Sequence, residues 1–413
     1  MGSDVKTFLK ITIGTTGIIT FIVIYITLQK EALPFEVPQS WFPPPRLVAT
    51  SHSVSMLRHQ CTDVITNMLH GQWEENNVTE KERLDMYNYY EEVLKTRGVQ
   101  YGIQRPDRQC GNVYNDWYRA LCHPGGPTPC CYDSVCVNSS LHNCSCPRCF
   151  DLRDQIEADL ATWRAQNEAC QPRKMAVEEI CTLLGNASVY FIGDSLVRHL
   201  YLAFAMLAKG TEDKVFHHTN MEAELSSLCR GRLLFSNIKC RPVVHHSPVL
   251  CNGAVRTKFM ELRNIGKTKQ IVTEILSLGN LSRSLVVFGI GVDDKYNPSE
   301  IQHHIWTPLL LEMQSKNLTK PKIVWTTPHI IGPIKAVAKD YRADYDQDHP
   351  HVHNYTHEMV AFLKQRGIPV LSSYNITMGV MSHDGIHHGM GVNKLRAQVL
   401  LHHIEELASL GQW

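Results

Sequence analysis

The 413-residue sequence lacks an excess of charge of either sign: 41 Lys and Arg stand against 40 Asp and Glu. Without a net field to gather a polyanion, nucleic acid is excluded as an expected partner. Internal repeats and low-complexity tracts are absent too. With 43% hydrophobic and 20% charged residues, the chain has a globular composition rather than a disordered or fibrous one. Cysteine is missing before residue 61 and after residue 251, and charged side chains are missing from Ile11 to Leu28.

That uncharged run is long enough to cross a bilayer and is flanked by Lys6, Lys10 and Lys30. A cleavable signal peptide is the rival, but its apolar core usually runs about 7 to 15 residues to a small-residue cleavage site, and none follows Leu28. The expectation is a cytosolic tail at 1–10 and a transmembrane anchor at 11–28. Three lysines give too weak a bias to orient it. Glycosylation signals and cysteines do better. Asn-x-Ser/Thr tripeptides occur at Asn77, Asn138, Asn143, Asn186, Asn280, Asn317, Asn354 and Asn375, and all 14 Cys lie on that same side of the anchor, an even number. The body is therefore expected in the lumen of the Golgi or another secretory-pathway membrane, with the cell surface as the other location.

Pro34, Pro38 and Pro43-Pro44-Pro45 favour an extended backbone, so residues 29–55 read as a stem. Residues 56–187 read as a Cys-rich and helical extension, with helices expected over Thr79–Lys95, Asp151–Cys170 and Met175–Leu184. Between them Cys110, Cys122, Cys130, Cys131, Cys136, Cys144, Cys146 and Cys149 fall among Gly, Pro, Asn and Ser. The spacing Cys144-x-Cys146-x-x-Cys149 admits zinc, but an oxidising compartment favours disulfides, whose pairing spacing does not fix. From 188 to 413, apolar runs at 189–192, 285–288, 323–325 and 369–371 alternate with helical patterns at 196–208 and 355–365. Strands alternating with helices imply an α/β fold with a parallel sheet covered on both faces, a three-layer sandwich.

Two short segments carry chemistry. Val189-Tyr190-Phe191-Ile192-Gly193-Asp194-Ser195 runs a buried-type strand into a helix, placing the Ser195 hydroxyl where parallel sheets bind ligands and where a helix amino end favours negative charge. On its own this segment reads first as a helix cap. Near the far end, Asp384-Gly385-Ile386-His387 puts a carboxylate and an imidazole three residues apart on a loop. A serine nucleophile needs that pair: a base to take its proton and a carboxylate to fix the base's tautomer. Arg198, one helical turn after Ser195, either binds an anionic or hydroxyl-rich substrate or pairs with an acidic neighbour. The His pairs at 217/218, 245/246, 303/304 and 402/403, and His349-x-His351-x-His353, share no recognised ligand spacing, so neither a metal nor another cofactor is expected.

Together these residues resemble the SGNH (GDSL-like) hydrolase superfamily, whose first block carries its nucleophile in Gly-Asp-Ser and whose last block is Asp-x-x-His. Arg198 and Ile323-Val324-Trp325-Thr326-Thr327-Pro328-His329 are similar to the PC-esterase group, which includes trichome-birefringence-like and sialate O-acetyltransferases. The resemblance implies a catalytic domain at 188–413 with Ser195 as nucleophile, His387 as base and Asp384 as its partner. It implies an O-acyltransferase acting on a glycan or glycoconjugate, with an acetyl ester or acetyl-CoA-derived donor as substrate, or else an esterase using the same triad. One departure keeps a catalytically inactive glycan-binding protein open. Where the family reads Gly-x-Asn-Asp, this chain has Gly291-Val292-Asp293-Asp294, and an ionised Asp cannot donate to an oxyanion. The donors, or a substrate contact, then fall to backbone at Ser195, Gly193 and Gly291. No oligomeric state follows from any of this. The compartment reading predicts that protein taken from cells shifts on gels after N-glycosidase treatment and presents few titratable thiols before reduction; an unglycosylated, fully reduced native protein would reverse the orientation.

Overall fold

The apolar runs of the second half have little polar side to turn to solvent, and in the computed structural model they become four strands of one sheet, three in its middle and the run at 369–371 at one edge. The structure describes residues 61–111, 117–146, 149–218, 221–293, 295–335 and 349–413. The expected tail at 1–10, anchor at 11–28 and stem at 29–55 lie outside them. Among the described residues, no helix is long and apolar enough to cross a membrane.

The sheet has five strands: β1 (Ser188–Gly193), β2 (Arg256–Glu261), β3 (Ser284–Gly289), β4 (Lys322–Thr326) and β5 (Val370–Leu371). They run parallel in the order β5-β4-β3-β1-β2. In register, Phe191 lies opposite Phe259 and Val287, and Gly193 opposite Glu261 and Gly289. Side chains alternate across the sheet. Val189, Phe191, Val287 and Val324 face helices α1 (Ser195–Lys209) and α5 (Met390–Ser409). Ile192, Val286, Phe288 and Trp325 face α2 (Thr268–Ser277), α3 (Thr307–Ser315) and α4 (His349–Lys364). This is the expected three-layer α/β sandwich. Strand β2, α2 and α3 lie outside the runs the sequence announces; the β2 run Arg256-Thr-Lys-Phe-Met-Glu261 mixes charge into an edge strand.

The extension departs from expectation in one stretch. Its helix Glu80–Thr96 forms behind a reciprocal cap between Thr79 and Glu82, and a shorter helix spans Val177–Leu184. Between Asp151 and Cys170, however, there is no long helix. The side chains of Asp151, Glu157 and Asn167 accept from the backbone N–H two residues on, at Arg153, Asp159 and Ala169, which competes with helical bonding. Ala161–Ala165 is instead a strand, paired antiparallel with Gly71–Glu75 so that Trp73 and Trp163 meet edge to face. All 14 cysteines pair: 61–170, 110–131, 122–136, 130–144, 146–149, 181–251 and 229–240. Cys144, Cys146 and Cys149 thus offer no thiolate to a metal.

The sequence boundary near 187 is not a boundary in packing. Val64, Ile65, Trp163 and Cys170 share the core of β1 and α1, the Trp73 indole donates to the Ile376 carbonyl at 2.9 Å, and Ile156 bonds to the backbone of Gly379 and Met381. The eight sequon asparagines are all exposed. Phe191 is fully buried, within 5.3 Å of Tyr201 and 5.2 Å of Phe204 by ring centroids. Phe191→Ala should lower stability by about 3–5 kcal/mol in disulfide-intact denaturant unfolding, whereas Leu311→Ala at an exposed site should change it by less than about 0.5 kcal/mol.

Candidate active site

Strand β1 ends at Gly193, whose φ of 154° and tight surroundings exclude a side chain: a Cβ there would run into the Gly289 carbonyl of β3 and into Val197. Asp194 follows in extended conformation and caps α1, its carboxylate accepting from Leu196 N–H at 2.9 Å. The cap is real, and Ser195 beside it is the first residue of the helix. It stands at the carboxyl edge of the sheet beside the β1/β3 junction, where strand order reverses and open α/β sheets bind ligands. Burial pushes the Asp194 carboxyl up to about 6, against the pull of its backbone donors, which include Val292 N–H.

The Asp-x-x-His loop reaches the same point from α5's side. Asp384 Oδ1 accepts from the N–H groups of Ile386 at 3.1 Å and His387 at 2.9 Å, curling the loop so that Asp384 Oδ2 lies 2.9 Å from His387 Nδ1. Gly385 sits at φ 86°, against the backbone of Lys335. His387 Nε2 lies 2.6 Å from Ser195 Oγ. These partners assign the tautomer, with Nδ1–H donating to Asp384 and Nε2 accepting from the serine hydroxyl. Burial would raise the Asp384 carboxyl, but the charges of His387 and Arg97 hold it well below the usual carboxylate range. Burial lowers His387 despite Asp384's opposing pull. The imidazole is therefore neutral, with Nε2 able to take a proton, at neutral pH.

Two residues around the three, Arg97 and Arg396, had no signal in the sequence, and His329 had one only as the end of the Thr-Pro segment. Arg97, just past the extension helix, pairs with Asp384 at 2.5 Å. Arg396 on α5 is fully buried and donates to the Leu196 carbonyl at 3.2 Å, Asn393 Oδ1 at 2.9 Å and Thr326 Oγ1 at 2.7 Å, tying α5 to the first turn of α1 and to β4. His329, from the Thr-Pro segment, meets His388 at 3.1 Å between Nδ1 atoms. A helical stripe would mark Arg396 as apolar core, and nothing local marks Arg97.

A cavity of about 240 Å³ opens onto Ser195 and His387, with Arg198, Arg241, Lys335, Trp117 and Tyr118 among its walls. Arg198 does both things open to it: it lines the cavity and lies 3.9 Å from Glu261. Gly193 lets α1 pack on β3, and Gly291, at φ 157°, turns the chain against Tyr355 and Tyr296. Asp293, standing where the resemblance expects Asn, does line the cavity on its exposed side. Val292 N–H serves Asp194. The Ser195 N–H, at the head of α1, has no acceptor within its helix.

No family model and no curated relative matches the sequence. Among solved structures, the chain is similar to a lipolytic G-D-S-L family member from Veillonella parvula, with 11% identity and a TM-score of 0.28 over 52% of this chain and 97% of that one. It is also similar to Est24, a carbohydrate acetylesterase from Sinorhizobium meliloti, at 13% identity and a TM-score of 0.31 over 54% and 99% of the two chains. An aryl esterase from M. smegmatis matches at 13% identity and a TM-score of 0.30 over 54% and 99%. What the site can do follows from its own geometry.

That geometry is a serine hydroxyl bonded to a neutral imidazole, itself held by a buried carboxylate, at the edge of an open cavity. An oxyanion formed there would meet the Ser195 N–H and the head of α1, and across the cavity the carboxylate of Asp293, whose charge opposes it. Asp293→Asn removes that charge and supplies a donor worth up to roughly 10²-fold. It should therefore raise kcat on a neutral aryl acetate, and a fall in kcat would show that Asp293 has another task.

Proposed function

We propose that the protein is a serine-dependent O-acyltransferase whose body lies in the lumen of the secretory pathway, moving an acyl group, in the simplest case acetyl, onto a glycan hydroxyl. The observation that carries the reading is the contact of Ser195 Oγ with His387 Nε2 at 2.6 Å, with Nδ1 of the same ring on Asp384 at 2.9 Å. In the first half-reaction His387 takes the hydroxyl proton as Ser195 Oγ attacks the donor's carbonyl carbon. The tetrahedral intermediate collapses, the donor's leaving group departs with the proton from His387, and acyl-Ser195 remains. In the second half the acceptor hydroxyl attacks, giving its proton to His387, and Ser195 Oγ leaves and recovers that proton.

Transfer and hydrolysis share the acyl-enzyme and differ in the acceptor that reaches it. Transfer dominates when the acceptor is held in attacking geometry, where effective molarities reach roughly 10⁵ to 10⁸ M. The cavity supports such holding: Arg198, Arg241 and Lys335 offer donors to hydroxyl or carboxylate oxygens, and Trp117, 52% exposed at the rim, adds an apolar face. The eight exposed sequon asparagines and the paired cysteines agree with a lumenal setting.

Ser195→Ala, His387→Ala and Asp384→Asn should each cut activity by roughly 10³-fold or more, without additivity, because the three act as one unit. With a labelled acyl donor and rising glycan acceptor, label should move saturably from free acid into glycan ester. Free acid as the sole product with every acceptor would make the protein an esterase with the same triad. A Ser195 that takes no fluorophosphonate label would make it a binding protein.

A further inference from the structure

Arg97 lies far from Asp384 in sequence, yet its Nη1 is 2.5 Å from Asp384 Oδ2, the oxygen that His387 Nδ1 approaches at 2.9 Å. The Arg97 side chain is 16% exposed and that of Asp384 6%. Its position is fixed from several sides. The helix Glu80–Thr96 ends at Arg97 and buries Met86, Tyr90, Val93 and Leu94. Arg97 Nη2 donates to the Ser236 carbonyl at 3.4 Å, and Tyr118 adds a hydrogen bond. Tyr118 is itself paired in backbone register with Lys335 and lies in the segment stapled by the 110–131 and 122–136 disulfides. The guanidinium is thus placed by the extension.

We propose that Arg97 is a positioning residue for the triad: the extension clamps the Asp384 carboxylate between Arg97 and His387, and so sets both the orientation of the base and the pH above which it can accept the serine proton. This rests on the acyl-serine reading. A bare carboxylate beside His387 stabilises the imidazolium; a second cation on the same oxygen offsets part of that charge, so the ring stays neutral to lower pH. The charged and titratable groups facing His387 are Asp384 on its own loop, Arg97 and Tyr118 from the extension, and Arg198 and His199 from α1. Asp293 faces it after β3, Arg241 from the segment before β2, Glu261 and Arg263 from the end of β2 and just beyond it, and Lys335 and His329 after β4, with His383 and His388 flanking it in its loop. Of the cations, Arg97 has the ion pair with Asp384.

The test uses the full-length protein in detergent and p-nitrophenyl acetate as the neutral ester, with kcat/KM measured across pH. Arg97→Gln should move the acid limb to higher pH by about one unit and lower the plateau; Arg97→Lys, which keeps the charge but not the fork, should return the limb toward that of the parent with only part of the rate. NMR titration of the His387 ring should show the same upward movement in Arg97→Gln whether or not the ester is turned over, so loss of the acyl-serine reading leaves this measurement standing. Should Arg97→Gln fail to fold, Tyr118→Phe removes one support of the guanidinium and should give a smaller movement in the same direction. A lower melting temperature and rate with an unmoved acid limb and an unmoved His387 midpoint would make Arg97 a structural residue only and overturn the proposal.

Discussion

The arrangement around Ser195 depends on keeping one carboxylate ionised in a dry place. Asp384 is 5% exposed, and an unpaired anion at that depth would take up a proton rather than stay charged. Four donors prevent it: the backbone N–H groups of Ile386 and His387, the His387 ring and the Arg97 guanidinium. The loop supplies three of these, and the fourth comes from the other end of the described chain. That is why the extension cannot be treated as an appendage: the sheet presents the serine, but the charge that organises its base is completed from outside the sheet.

The same economy governs the other buried groups. Burial holds His383 and His388 down at about 3 and keeps His199 and His329 well below the usual imidazole range, so these rings are neutral at neutral pH. Were they charged, they would raise the positive potential around His387 and hinder its protonation during the reaction. Arg396 is the exception, a buried cation whose burial draws it down to about 9 while Asp194 opposes that pull. Its hydrogen bonds to Leu196, Asn393 and Thr326 fix the start of α1 to β4 and α5, so that Ser195 and His387 approach from elements bound to one another.

What was legible in the sequence is what local chemistry dictates. Val189, Phe191 and Ile192 and the whole of Leu285 to Phe288 are buried, on both faces of the sheet, with Tyr190 half-buried, and such strands are apolar nearly throughout, which announces them. Gly193, Asp194 and Ser195 announce a turn and a cap because no other residue suits position 193 and a carboxylate at 194 bonds the helix's free N–H groups. The Asp384 and His387 pair is local as well. Edge strand β2 alternates charge with apolar residues and falls below recognition. The stretch from Asp151 to Cys170 misleads for the opposite reason: its acids and amides suit a helix in composition but bond the backbone two residues ahead, and the Trp73 and Trp163 pairing then draws residues 161–165 into a strand.

Long-range electrostatics is the part a single sequence hides. An Arg after a helix whose last turn already carries Lys95 looks like a solvated residue favouring the helix's negative end. Only the closure of the extension onto the Asp384 loop turns that same charge inward. The residues that achieve the closure are themselves unremarkable in sequence: Ile156 bonding to Gly379 and Met381, the Trp73 indole on Ile376, and the Arg119 guanidinium on the Pro333 carbonyl at 3.1 Å. Each acts on a segment next to the Asp384 loop rather than on the loop itself. The disulfides Cys110–Cys131 and Cys122–Cys136 pin the segment around Tyr118, whose side chain in turn hydrogen-bonds Arg97.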